Sequence, residues 1–131
     1  MGEYRLPHDT TAAEKARSRL EEELTSVLAP PRVEDSRLMV TELVSNAVRH
    51  APPETEGGIV LEIEREPGVV RIVVRDGGKH MDLDGPSFHT HSDGHYGLFV
   101  VDTLADRWGF SIDGDKGVWF EVKTGWGPLG V

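Results

Sequence analysis

The chain has 131 residues, 37% of them hydrophobic and 28% charged, with a formal net charge of −9 and no cysteine. That length and balance fit one globular domain with a real core, and the missing cysteines exclude disulfides and thiol-based metal or redox sites. The negative charge argues against a nucleic-acid partner, whose phosphates need an excess of Lys and Arg, while a small phosphate ligand or a basic protein surface stays open. No apolar run reaches the roughly 18 residues of a membrane span, and the N-terminus lacks a basic-then-apolar signal pattern, so no membrane association and a cytoplasmic location are expected.

Residues 3–7 read as a short leading strand. Thr11-x-x-Glu14 has the pattern of a capping box. Behind it Ala13, Ala16, Leu20, Leu24, Val27 and Leu28 recur at helical spacing, which predicts an amphipathic helix over 11–28. Pro30-Pro31 ends it, and Pro31 suits the first turn of a second helix, with Glu34 and Asp35 towards its positive end. Val40, Leu43, Val44, Ala47, Val48 and Ala51 supply the buried stripe of that helix before Pro52-Pro53 stops it.

The pattern then switches to period two. Ile59, Leu61 and Ile63 alternate with Glu62 and Glu64; Val70, Ile72 and Val74 alternate with Arg71 and Arg75. With Glu66-Pro67-Gly68 between them, these runs predict an antiparallel hairpin. Residues 77–96 have no periodicity and contain His80, His89, His91 and His95; an aperiodic stretch of that length points to function. A third helix is expected over 97–106, with Leu98, Val101, Leu104 and Ala105 inward. Phe110 and Ile112, then Val118, Phe120 and Val122, form a last hairpin around Asp113-Gly114-Asp115. Helices set against a largely antiparallel sheet predict an α/β (α+β) two-layer sandwich. No linker or repeat divides it, so residues 1–131 read as a single domain.

Four places carry candidate chemistry. Glu42, Asn46 and His50 stand at steps of four on the second helix, within one quarter of its circumference and at the edge of the apolar arc. A carboxamide oxygen can ligate a phosphate-bound Mg²⁺, which takes only one or two protein ligands, and a carboxylate one turn away can accept a proton. The same row is also what the solvated face of an amphipathic helix shows. Asp76-Gly77-Gly78 ends a strand: its carboxylate can accept a hydrogen bond from a base amino group, although Asp-Gly also favours a plain turn. Gly94-His95-Tyr96-Gly97 precedes the third helix and would expose N–H groups to a phosphate, or simply form a loop. The four histidines fit no tight ligand spacing, so solvated loop residues are expected over a metal site.

Taken together, Glu42-x-x-x-Asn46-x-x-x-His50-Ala51, then Asp76-x-Gly78, then a glycine loop opening Gly97-Leu98-Phe99-Val100-Val101, resemble the GHKL ATPase superfamily. Within it the chain is similar to the small bacterial anti-sigma factor serine/threonine kinases, stand-alone histidine-kinase-like ATPase domains. Leu104-Ala105-Asp106-Arg107-Trp108-Gly109 and Val118-Trp119-Phe120-Glu121-Val122 fit the same branch. The match covers about 5–123, leaving 124–131 as a tail.

The resemblance implies a Bergerat ATP-binding fold, a mixed, mostly antiparallel sheet covered by three helices. It implies Glu42 as the catalytic base, Asn46 as the Mg²⁺ ligand and Asp76 with Gly78 at the adenine. His50 and Ala51 would line the pocket. Residues 79–97 would be the ATP lid, with Gly94, Gly97, Leu98 and Phe99 near the phosphates. It implies ATP and Mg²⁺ as cofactors. The implied partners are an anti-anti-sigma (STAS-domain) protein as phosphoacceptor, a sigma factor as the sequestered protein, and a second copy in a homodimer.

The chain departs from the family pattern at His80, where a second glycine is usual. Gly94 and Gly97 stand one residue further apart than the usual lid pair, and Asp115-Lys116-Gly117 lacks the customary Thr. These departures touch phosphate and ring contacts and favour weaker nucleotide binding. They keep open a module of the same fold that sequesters a partner without phosphotransfer.

Overall fold

The computed structural model describes residues 2–50, 58–76, 96–111 and 117–125. Its elements in chain order are β1 (Gly2–Leu6), α1 (Ala12–Leu24), α2 (Pro30–His50), β2 (Ile59–Glu66), β3 (Val69–Arg75), α3 (Tyr96–Leu104), β4 (Arg107–Ser111) and β5 (Gly117–Lys123). The strands form a five-stranded sheet in the order β1-β2-β3-β5-β4, antiparallel at every described pairing. The expected two-layer α/β arrangement is present: α1, α2 and α3 cover one face, with α2 between the other two helices.

The period-two runs determine which face is covered. Ile59, Leu61 and Ile63 of β2, Val70, Ile72 and Val74 of β3, and Phe120 and Val122 of β5 are all buried beneath the helices. They meet Ala12, Ala16, Leu20 and Leu24 of α1, Met39, Val40, Leu43, Val44 and Ala47 of α2, and Val101 of α3. Three helices and one sheet thus share a single apolar layer, the main stabilising term in such a fold.

The opposite face carries charge. One row across the sheet reads Glu64, Arg71, Glu121 and Arg107, with signs alternating from strand to strand. Glu121 lies 3.4 Å from Arg71 Nε and 3.6 Å from Arg107 Nη1. Both guanidinium groups also stack on Trp119, at 4.2 and 5.8 Å from its ring centre. The ring lies across Gly109, where an added Cβ would come within 2.9 Å of Trp119 Cζ2.

Several boundaries differ from the sequence reading. Thr11 occupies the N-cap position of α1 in a helical conformation (φ −87°, ψ −8°) and makes no side-chain cap bond. Asp9 does this work instead: its Oδ1 accepts from Thr11 N at 2.8 Å and Thr11 Oγ1 at 2.5 Å, and its carbonyl accepts from Ala12 N. An Asp side chain turning the chain two residues on is the physical rival of the capping box.

Helix α1 stops at Leu24, not at 28: Thr25 N–H makes the last helical bond, to the Glu21 carbonyl, and the chain then tightens into a turn in which Val27 N–H bonds to the Leu24 carbonyl. Val27 and Leu28 are still buried, from that turn. Glu34 and Asp35 fall beyond the first turn of α2 and instead pair with Arg37 and Arg32. Helix α3 ends at Leu104, and the chain passes almost at once into β4 at Arg107. Ile112 and Asp113-Gly114-Asp115 lie outside the described residues.

Candidate functional site

Helix α2 is anchored at its start. Arg32 Nη2 lies 3.0 Å from Asp106 Oδ2, and the same oxygen accepts the Lys123 backbone N–H at 2.7 Å. The beginning of α2, the end of α3 and the end of β5 therefore meet at one point. Val69 pairs with Lys123, so β3 starts at that end too. From there the helical rise carries Asn46 about 21 Å from Arg32, and the strand rise carries Asp76 about 23 Å from Val69. Helix α3 packs against α2 and runs back towards the anchor. Glu42, Asn46, the start of α3 and Asp76 are thereby collected at the opposite end of the sandwich.

The faces agree with the levels. Leu38 is 49% exposed and marks the outward side of α2, while Ala47, half a turn round, is buried against the sheet. At the helical angle per residue, Glu42 and Asn46 lie roughly 40° and 80° round from Leu38. Arg32, which reaches Asp106 beyond α3, lies on that same side. Glu42 and Asn46 are half-buried. The Glu42 carboxylate makes no hydrogen bond or ion pair among the described residues, which leaves its lone pairs available to a ligand.

Asn46 Oδ1 accepts a hydrogen bond from Arg49 Nη2, one turn on. A carboxamide oxygen is a hard ligand of the kind a divalent ion takes, and Arg49 competes for it. Asp76 follows β3 directly and is only 8% exposed. Alternation with Val70, Ile72 and Val74 turns it towards the helix layer. A buried carboxylate at a strand end can accept a hydrogen bond from an amino group.

Leu98 is half-buried against the core, and Phe99 is 56% exposed on the first turns of α3. Gly97 lies within α3, and the side chain of His50 falls outside the described residues, as do Ala51, Gly78, Gly94 and the four loop histidines. Among the described residues no group of His, Cys, Asp or Glu is placed to hold a metal by itself. An open groove of about 460 Å³ lies between β1 and α1, lined by Tyr4, Arg5, Lys15 and Arg19 among others. It has mixed charge and contains none of the candidate residues.

One contact is not anticipated from the sequence: Arg49 stands in a helix rich in charge, although its spacing of three from Asn46 is a contact distance on a helix.

No described helix is long and apolar enough to cross a membrane. The family model of the histidine kinase-like ATPase domain matches residues 6–122. Among curated proteins the chain is similar to the serine-protein kinase RsbW of Bacillus subtilis, 33% identical over 90 residues, which cover 57% of this chain and 54% of that protein. RsbW of Staphylococcus epidermidis is 31% identical over 88 residues, 57% of this chain and 55% of the relative. The chain spans about half the length of the curated relatives it matches. The antiparallel sheet under three helices, with Glu42, Asn46 and Asp76 gathered at one end, and the match over 6–122 lead to one assignment: the chain belongs to the histidine kinase-like ATPase domain family, within the GHKL superfamily.

Proposed function

We propose that this chain is an ATP-dependent serine/threonine protein kinase that acts as an anti-sigma factor in the cytoplasm, as one ATPase domain over 1–131. The observation that carries the reading is the half-buried Glu42, with no hydrogen-bond or ion-pair partner among the described residues, one turn before Asn46 and at the Asp76 end of the sheet. The names of the RsbW relatives, serine-protein kinases, support it.

In this reading Asp76 accepts a hydrogen bond from the adenine amino group, aided by Gly78. Asn46 Oδ1 holds Mg²⁺, which supplies charge neutralisation at the phosphate oxygens when bound. His50, Ala51, Gly94, Gly97, Leu98 and Phe99 line the nucleotide, and the positive end of the α3 dipole favours its phosphates. Glu42 takes the proton from a serine or threonine hydroxyl of the partner. The hydroxyl oxygen bonds to the γ-phosphorus as the bond to the β–γ bridging oxygen breaks, and ADP leaves. Positioning and electrostatics supply most of the rate in such transfers.

The phosphoacceptor is an anti-anti-sigma STAS-domain protein, the sequestered partner is a sigma factor, and the working unit is a homodimer. The missing Thr before Gly117 and the histidine at position 80 favour a second reading, a nucleotide-dependent sequestering module without phosphotransfer.

The test is a Glu42→Gln variant, assayed with radiolabelled ATP and a purified STAS-domain protein of the same genome. It should bind ADP like the parent protein yet transfer no label. Undiminished labelling removes Glu42 as the base; absence of labelling by the parent protein, with intact ADP binding, selects the second reading.

A further inference from the structure

We propose that Arg75 is a positioning residue for the nucleotide base, acting through Asp76; the proposal rests on the reading that Asp76 meets the adenine amino group. Arg75 is the last residue of β3 and Asp76 the first beyond it, so ladder hydrogen bonding gives out where the base contact must be held. The two side chains point to opposite faces of the sheet.

On the outer face Arg75 Nε lies 3.2 Å from Glu62 Oε2 on β2, and Nη1 donates to Ser111 Oγ on β4 at 2.7 Å. Strand β4 is not a neighbour of β3; β5 runs between them. The guanidinium must therefore pass over β5, and it does so at Gly117, its own register partner. A Cβ at position 117 would come within 3.1 Å of Arg75 Cγ and 2.9 Å of the Val74 carbonyl. A single side chain thus spans β2, β3, β5 and β4 along the edge from which Asp76 leaves.

The strap is partly shielded: the side chains of Arg75 and Glu62 are 23% and 21% exposed. A planar guanidinium with donors on both sides suits this two-ended role, and a lysine, with one point charge, cannot fill both ends. Shifts of about 1 Å in a positioning group can change rates or affinities by up to about a hundredfold. Fixing the last residue of β3 therefore fixes the direction of the Asp76 carboxylate.

A role in sheet stability alone and a role in base positioning give different readouts. ADP and inosine diphosphate differ where Asp76 would act, because inosine carries an oxygen in place of the amino group. Calorimetric affinities for both nucleotides would be measured on the parent protein, Arg75→Met, Arg75→Lys, Ser111→Ala and Gly117→Ala, with a thermal melt of each.

Arg75→Met is expected to weaken ADP about tenfold and leave inosine diphosphate unchanged, collapsing the preference. Arg75→Lys should recover part of it. Gly117→Ala should show the same loss with Arg75 intact, because the Cβ blocks the crossing. Ser111→Ala, the mildest change, should lose about threefold and covers the case in which Arg75→Met does not fold. Lower melting temperatures with an undiminished ADP preference in Arg75→Met, or in Ser111→Ala should Arg75→Met not fold, would overturn the proposal and leave Arg75 a sheet staple. If Asp76→Asn keeps the preference intact, the base reading of Asp76 falls and takes the proposal with it.

Discussion

Arg32 and Asp106 join the first turn of α2 to the junction between α3 and β4, Nη2 to Oδ2 at 3.0 Å. This contact aligns the two helices in opposite directions and so brings the beginning of α3 beside Glu42 and Asn46. Asp106 also receives the Lys123 backbone N–H and sends its own N–H to the Glu121 carbonyl, so it ties a helix pair to the sheet.

Asp106→Ala should therefore lower stability by about 1–2 kcal/mol. An exposed ion pair contributes at most about 1 kcal/mol, but the bond from a backbone N–H to a carboxylate adds to it. Urea unfolding at constant slope measures this, and Asp106→Asn, which keeps an acceptor, should fall less.

Gly109 is the seat of Trp119. Gly109→Ala places a methyl against the indole ring and should cost about 1–3 kcal/mol by overpacking. The double variant with Trp119→Leu should lose less than the sum of the singles, because the leucine vacates the space. A double-mutant cycle by chemical denaturation is the check.

Asp9 gives a pH signature. Its bonds from the Thr11 hydroxyl and backbone N–H hold its carboxyl below the usual carboxylate range. A group with a lowered folded-state pKa stabilises above its unfolded value, and that contribution is lost as pH falls through the folded one. Asp9→Ala should thus melt below the parent protein near neutral pH, with the gap closing in acid. Thermal melts between about pH 2 and pH 7 should show the two curves converging, and parallel curves would remove the assignment.

Arg49 occupies the oxygen of Asn46 that the proposed Mg²⁺ needs. Arg49→Gln should tighten Mg-ADP by about twofold, the equivalent of one surface helix pair of roughly 0.2–0.5 kcal/mol, and leave ADP in excess chelator unchanged. Titration calorimetry with and without magnesium separates the two.

Much of this was legible in the sequence because it is local. Helical spacing located the α2 stripe, and period two located the buried faces of β2 and β3. The spacing of Glu42, Asn46 and Asp76 brought out the family. What stayed hidden depends on partners far along the chain. Nothing near Arg75 announces that β5 will be inserted beside β3 and leave Ser111 within its reach, and nothing near Asp106 announces Arg32. The Thr11 capping box differs for another reason: Asp9 competes for the same helix start, and the capping-box pattern shows only Thr11.

The alternating row on the open face has a consequence for folding fidelity. If β5 slid by two residues along β3, the same faces would still be buried, so the core alone would tolerate the error. In one direction Arg71 would then face Lys123 in place of Glu121, two cations side by side; in the other it would lose its carboxylate to Trp119. The solvent side of the sheet therefore acts as a proofreader for strand alignment, rejecting mispaired chains that the apolar side would accept.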